Sequence, residues 1–158
     1  MKNSSWGEKN IFELAKEHKI LYSAQIELTS KCNWKCINCY IPNHSERGIE
    51  KRKVFDTLKQ LRDIGTFEIN FTGGEVFCRD DAMEIIEMAR SMHFNVTILS
   101  NISLLDEGKI KELASLTIGE IACTIFSVED RIHDSISGVV WSLKTTMVNG
   151  LLLKDYGI

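Results

Sequence analysis

The sequence predicts an α/β protein built on one parallel sheet. Four segments rich in β-branched residues are bounded by Gly, Asn or Ser, and each is followed by a segment of helical periodicity. A composition of 44% hydrophobic and 26% charged positions over 158 residues is that of a globular chain with a single core. Strands alternating with helices return to the same end of the sheet through right-handed crossovers, so the loops that follow strands gather at one rim. That rim is where α/β proteins bind ligands.

Residues 1–22 form a polar lead-in with one short helical pattern through Ile11, Phe12, Leu14 and Ala15. The first strand is read at 23–30, "SAQIELTS", and a helix over 48–64 sets Val54, Leu58 and Leu61 on one face before stopping at Gly65. The second strand, 67–74, leads to a helix over 80–93 through Ala82, Ile85, Ile86 and Ala89, with Asp80 and Asp81 at its positive end. The third strand, 95–101, precedes a helix over 106–115 through Ile110, Leu113 and Ala114. The fourth, 117–127, carries Ile118, Ile121, Ile125 and Phe126, and a helix over 141–154 follows through Leu143, Met147 and Leu151. Residues 23–158 are thus one domain of four strand–helix units. An apolar fourth strand at the edge invites self-association. The chain stops after Gly157, where a fifth strand would begin, and is expected to be a fragment or part of a larger assembly.

Nineteen Lys and Arg against 22 Asp and Glu leave a net charge of −3 and no basic footprint for nucleic acid. Lys51, Arg52 and Lys53 read as the solvated start of a helix. The N-terminus has no apolar run suited to a secretory signal, and no segment approaches the roughly 18 continuous apolar residues of a membrane span. A cytoplasmic location without a membrane partner is expected, and five cysteines in a reducing compartment do not make a disulfide framework.

"KCNWKCINCY" crowds Cys32, Cys36 and Cys39 into eight positions. On a helix the three thiols would share one face, which suits buried structural cysteines. Asn33, Asn38 and Pro42 favour turns instead, and a helix would hold the first and last Cα roughly 10 Å apart. A loop around a metal centre fits better. Zinc would need a fourth ligand such as His44 and ordinarily shows two ligand pairs rather than one triplet. A [4Fe-4S] cluster held by three thiolates leaves one iron open to a small molecule.

"CNWKCINCY" resembles the CxxxCxxC motif of radical S-adenosylmethionine (radical SAM) enzymes, including the aromatic residue after the last cysteine, here Tyr40. "FTGGEVFCRDD" is similar to their GGE motif, here Gly73, Gly74 and Glu75. "CTIFSVEDRIHDSISGV" resembles the fourth-strand region of the branch that modifies peptides and carries a C-terminal auxiliary-cluster (SPASM-type) domain: Thr124 stands for a usual serine, Phe126 for a usual aromatic, and His133 and Asp134 for a usual HD pair. The resemblance covers 23–158 and implies the first four units of a six-unit partial TIM barrel.

It further implies that Cys32, Cys36 and Cys39 hold three irons of a [4Fe-4S] cluster while S-adenosylmethionine chelates the fourth. An electron from a reductant such as flavodoxin or ferredoxin then yields a 5′-deoxyadenosyl radical, which acts on a peptide or protein substrate. Tyr40 would lie beside the cofactor. Gly73 and Gly74 would let the backbone approach it closely, and Glu75 would accept from its ammonium. Ser100, Asn101 and Thr124 would bind ribose or carboxylate. The pattern departs from the family at "HDSISGV", where an arginine often follows the HD pair to neutralise the ligand carboxylate. Cys78 and Cys123 read as small buried hydrophobes and His133 as a structural hydrogen-bonding residue, while His18, His44 and His93 carry no signal; no catalytic residue is assigned. The alternatives are an accessory module that binds cluster and S-adenosylmethionine without turnover, and a zinc-stabilised structural domain.

Overall fold

The structure, a computed structural model, describes residues 10–158; the first nine residues of the lead-in lie outside the described residues. Four strands, β1 (Ser23–Thr29), β2 (Glu68–Gly73), β3 (Asn95–Leu99) and β4 (Glu120–Ala122), form one sheet in the order β1-β2-β3-β4, each parallel to the next. Consecutive order is that of a barrel wall, in which every crossover moves one strand along, rather than of a doubly wound sheet. The helices are α1 (Ile11–Glu17), α2 (Lys51–Asp63), α3 (Ala82–Ser91), α4 (Glu107–Ser115), α5 (Asp130–Ser137) and α6 (Ser142–Asp155). Among the described residues no single helix is long and apolar enough to cross a membrane.

Alternation in the strands separates two faces. Ile26, Leu28, Ile69, Phe71, Val96 and Ile98 are buried with Val54 and Leu58 of α2, Ile85, Ile86 and Ala89 of α3, and Ile110 and Leu113 of α4. The opposite face carries Glu27, Asn70 and Thr97, and Glu68 there accepts from Ser23 and Asn70 and, across to β3, from Asn95. The sheet is therefore apolar towards its helices and polar on the face that a barrel would enclose.

Two expectations are corrected. The fourth strand is three residues long, not the whole of 117–127. Thr117 turns the chain through φ +54 after α4, and β3 leaves the sheet after Leu99, so nothing continues the ladder past Ala122. Ile118 is buried and Ile121 packs on the core, which makes the edge shorter and less apolar than the pattern implied. As expected, Asp81 stands at the positive end of α3, at its N-cap position; its side chain makes no capping bond and pairs with Arg79.

The second correction concerns α6. The expected face of Leu143, Met147 and Leu151 buries only Leu143, while Met147 and Leu151 are 47% and 60% exposed. The inward face is Ser142, Leu143, Thr146, Asn149 and Leu153. Its polar members hold the loop that follows β3: Asn149 Nδ2 donates to the carbonyls of Ile102 and Leu105 at 2.8 and 3.0 Å, and Thr146 Oγ1 to that of Asn101 at 3.3 Å. The eight-residue α5 was not foreseen. Its Asp134 caps α6 from outside, accepting from the N–H groups of Trp141 and Leu143 and from the hydroxyl of Ser142.

Asn149→Ala strips the Leu105 carbonyl of its donor and leaves that of Ile102 with Leu105 N alone, and is expected to lower stability by about 1–3 kcal/mol, whereas Met147→Ala stays within about 0.5 kcal/mol; urea denaturation of both variants checks the assigned face. Asp134 has its pKa lowered, first by the Ser142 hydroxyl. A depressed carboxylate contributes stability that is present above its unfolded value and lost as pH falls through its folded one. Asp134→Asn should therefore be less stable than the parent at neutral pH, with the gap closing below the ordinary carboxylate range, as thermal melts at stepped pH would read.

Candidate active site

At the end of β1 the register slips between Glu27 and Thr29, and the chain leaves the sheet without regular structure until α2 begins. The return of this loop is tied down beside its departure. Thr29 Oγ1 donates to the carbonyl of Glu46, and Glu46 N donates to Ser30 Oγ at 3.0 Å. Arg79, with a side chain only 8% exposed, donates to the carbonyls of Leu28 and Ile49 and is forked onto Asp81.

The cysteine stretch inside the loop is held by α5. Lys35 N and Ile37 N donate to the carbonyls of Ser137 and Ile136, both at 2.9 Å. Trp34 is buried edge-on against the ring of His133, 5.6 Å between centroids. His133 is itself enclosed, with Nδ1 2.8 Å from Ser142 Oγ, so its structural role is borne out. A tight turn, Cys39 N to the carbonyl of Cys36, brings the last two cysteines round, and Cys39 Sγ meets His44 Nε2 at 3.4 Å.

The second rim segment is the glycine pair. Gly73, at φ +146, has the carbonyl of Thr29 only 2.2 Å from where a Cβ would stand; at Gly74 the carbonyls of Lys31 and Ser30 lie at 2.4 and 2.5 Å. Gly74 N and Glu75 N donate to Thr29 and Lys31. The missing side chains thus admit the backbone leaving β1, and any room for a ligand lies on the other side of these residues.

Glu75 is placed differently from expectation. It is fully buried, and both of its carboxylate oxygens are met by protein donors. Oε1 accepts from Phe77 N at 3.0 Å and Ser100 Oγ at 2.8 Å, and Oε2 accepts from Asn101 N at 2.7 Å. Burial pushes its pKa up, and these donors pull it back only in part. Ser100 spends its proton on Glu75 and accepts from Ile102 N, which leaves its hydroxyl committed.

One cavity of about 270 Å³ gathers the remaining expected residues: Cys32, Cys36, Cys39, Tyr40, Gly73, Gly74, Ser100, Asn101 and Thr124 all line it. Thr124 reaches it from the chain after β4 rather than from within the strand. Trp34 and Cys123 line it as well, which the sequence did not suggest, and so does His44, which the sequence offered only as a ligand for zinc. Cys123, expected to be buried, is exposed, whereas Cys78 is half-buried. His44 carried a signal after all in its spacing of five from Cys39.

The donor set suits a polynuclear metal centre. Burial pushes the Cys32 thiol up to about 11 and raises that of Cys36, so free thiolates are disfavoured there until a cation compensates them. No Lys or Arg lines the cavity to do so among the described residues. Nor do any three His, Cys, Asp or Glu side chains among them stand close enough to share one ion. A [4Fe-4S] cluster takes each thiolate at a different iron, so three thiols spread along one cavity wall suit it.

Comparison with known proteins agrees with this arrangement. Residues 26–158 match the profile of the Radical SAM superfamily. The chain is 32% identical over 140 residues to the antilisterial bacteriocin subtilosin biosynthesis protein AlbA of Bacillus subtilis (strain 168), covering 85% of this chain and 31% of AlbA. To the PqqA peptide cyclase of Gluconobacter oxydans (strain 621H) it is 27% identical over 138 residues, covering 84% and 38% of the two chains. It spans about a third of the length of these curated relatives. Streptococcus suis SuiB, solved bound to the precursor peptide SuiA, shares its fold with a TM-score of 0.75 at 18% identity, over 99% of this chain and 38% of SuiB. The anSMEcpe structure with bound AdoMet gives 0.72 at 19% identity, over 87% and 42%. Profile, fold and the order of the rim motifs agree: the chain belongs to the radical SAM superfamily.

Proposed function

We propose that this chain forms the cofactor-binding part of an enzyme that reductively cleaves S-adenosylmethionine and modifies a peptide or protein. The observation that carries the reading is the convergence of three unpaired thiols, the glycine pair and the ends of β3 and β4 on one cavity. When bound, a [4Fe-4S] cluster and S-adenosylmethionine would supply one-electron cleavage of the sulfonium to a 5′-deoxyadenosyl radical. The chain's own residues bind and orient. Cys32, Cys36 and Cys39 would hold the cluster, and the backbone at Gly73 and Gly74, which lines the same cavity, would approach the ligand. Thr124 presents an exposed hydroxyl, and Tyr40, 73% exposed, flanks the cavity on the side of Cys39. Among the described residues the wall carries no Arg or Lys, and hydroxyl, amide or backbone donors are what it would offer a ligand carboxylate.

The peptide substrate is supported by the named activity of the PqqA peptide cyclase and by the peptide bound to SuiB. A small electron-transfer protein such as flavodoxin or ferredoxin as reductant, a cytoplasmic location and association through the edge beyond β4 belong to the same proposal. In it, Glu75 acts as the brace that joins the ends of β2 and β3 rather than as a contact to the ligand.

Anaerobic reconstitution with iron and sulfide, with iron counting and electron paramagnetic resonance of the reduced protein, tests the reading. The expected result is a [4Fe-4S] signal that changes when S-adenosylmethionine is added and is lost in Cys36→Ala; bound zinc, or a cluster indifferent to S-adenosylmethionine, would overturn it. Glu75→Gln turns an amide N–H₂ towards one of the three donors and should lower the stability of the cluster-free protein by about 1–3 kcal/mol in urea. Unchanged stability with weakened S-adenosylmethionine binding would return Glu75 to the ligand.

A further inference from the structure

Asn101 was expected to reach a ribose or carboxylate, but its side chain is engaged elsewhere. Its main chain is fixed at both ends, N–H to Glu75 and carbonyl to Thr146. Its Oδ1 lies 3.0 Å from Ser103 N and 2.7 Å from Ser103 Oγ. A backbone N–H can only donate, so the atom facing it is the oxygen and Nδ2 faces the other way. On that side Nδ2 lies 2.9 Å from Asn33 Oδ1 and 3.9 Å from Cys32 Sγ. Asn33 Nδ2 in turn donates to Ser103 Oγ at 2.8 Å, which closes a ring of three side chains. Trp34 N points at the same sulfur from 3.4 Å.

We propose that Asn101, oriented by Asn33 and Ser103, is a positioning residue that directs an N–H at the sulfur of Cys32 and thereby raises the reduction potential of the cluster bound there. The inference rests on the reading of Cys32 as a cluster ligand. Reduction adds negative charge that spreads onto the ligand sulfurs, and an N–H dipole aimed at one of them stabilises the reduced form more than the oxidised form. The two donors at Cys32 come from different elements, Trp34 from the cysteine loop and Asn101 from the loop after β3. The ring makes the second depend on how these two loops meet.

The test is a redox titration of the reconstituted protein, followed by electron paramagnetic resonance without S-adenosylmethionine. Asn101→Ala is expected to keep the parent's iron content and shift the midpoint to more negative potential. Asn33→Ala and Ser103→Ala, which each free the amide without removing it, should shift it less in the same direction. A midpoint identical to the parent's in Asn101→Ala, with S-adenosylmethionine binding alone weakened, would overturn the inference and make Asn101 a ligand contact. Should Asn101→Ala assemble no cluster, the two ring variants decide: a negative shift supports the inference, and parental midpoints in both overturn it. A parent protein that assembles no cluster would overturn the reading of the thiols itself, a result distinct from these.

Discussion

A buried carboxylate has to find donors, and the donors Glu75 finds determine how the rim is built. One oxygen is met by the turn that follows β2 and by Ser100, the other by Asn101 at the end of β3. The tips of two neighbouring strands are thereby fixed relative to each other beyond the point where the ladder ends. Gly73 and Gly74 do the corresponding work on the other side, since only residues without a Cβ let the backbone from Thr29 to Lys31 lie against them. β1, β2 and β3 thus hand their outgoing chains to one another before any side chain turns towards the cavity.

The cysteine loop depends on elements distant in sequence. Its backbone donors are taken by carbonyls of α5, its tryptophan is enclosed against His133, and Asp134 beside that histidine caps α6. α6 then holds the loop after β3 through Thr146 and Asn149, and that loop carries Asn101 back to Asn33. The connections run in a circuit from cysteine loop to α5, to α6, to the β3 end, and back. A residue such as Asn149 belongs to the site although it lines no cavity.

Alternation of strand and helix, the buried faces of α2 and α3 and the crowding of three cysteines were legible because each is written in local periodicity or spacing. The length of β4 was not, since it is limited by where β3 departs, a fact about a partner strand. α5 escaped notice because "DRIHDSIS" is short and polar and ends at Gly138, so it reads as a loop. α6 was misread because hydrophobicity was taken to mark the inward face, whereas here carbonyls need donors and Asn149 and Thr146 supply them. Glu75 was recognised by its motif; a charge next to two glycines suggests a ligand, and only the fold reveals the three protein donors around its carboxylate.

The circuit has a dynamic consequence. Loops are usually the first parts of a protein to open, each on its own, because few buried contacts hold them. Here the amide of Asn101 ends on a carboxylate shared with two other donors, so releasing it strands a buried charge that the others cannot satisfy. Opening the rim at Asn101 therefore costs more than opening an ordinary surface loop, because it strips a donor from a buried carboxylate. Irregular in shape, it behaves as an extension of the strands from which it grows.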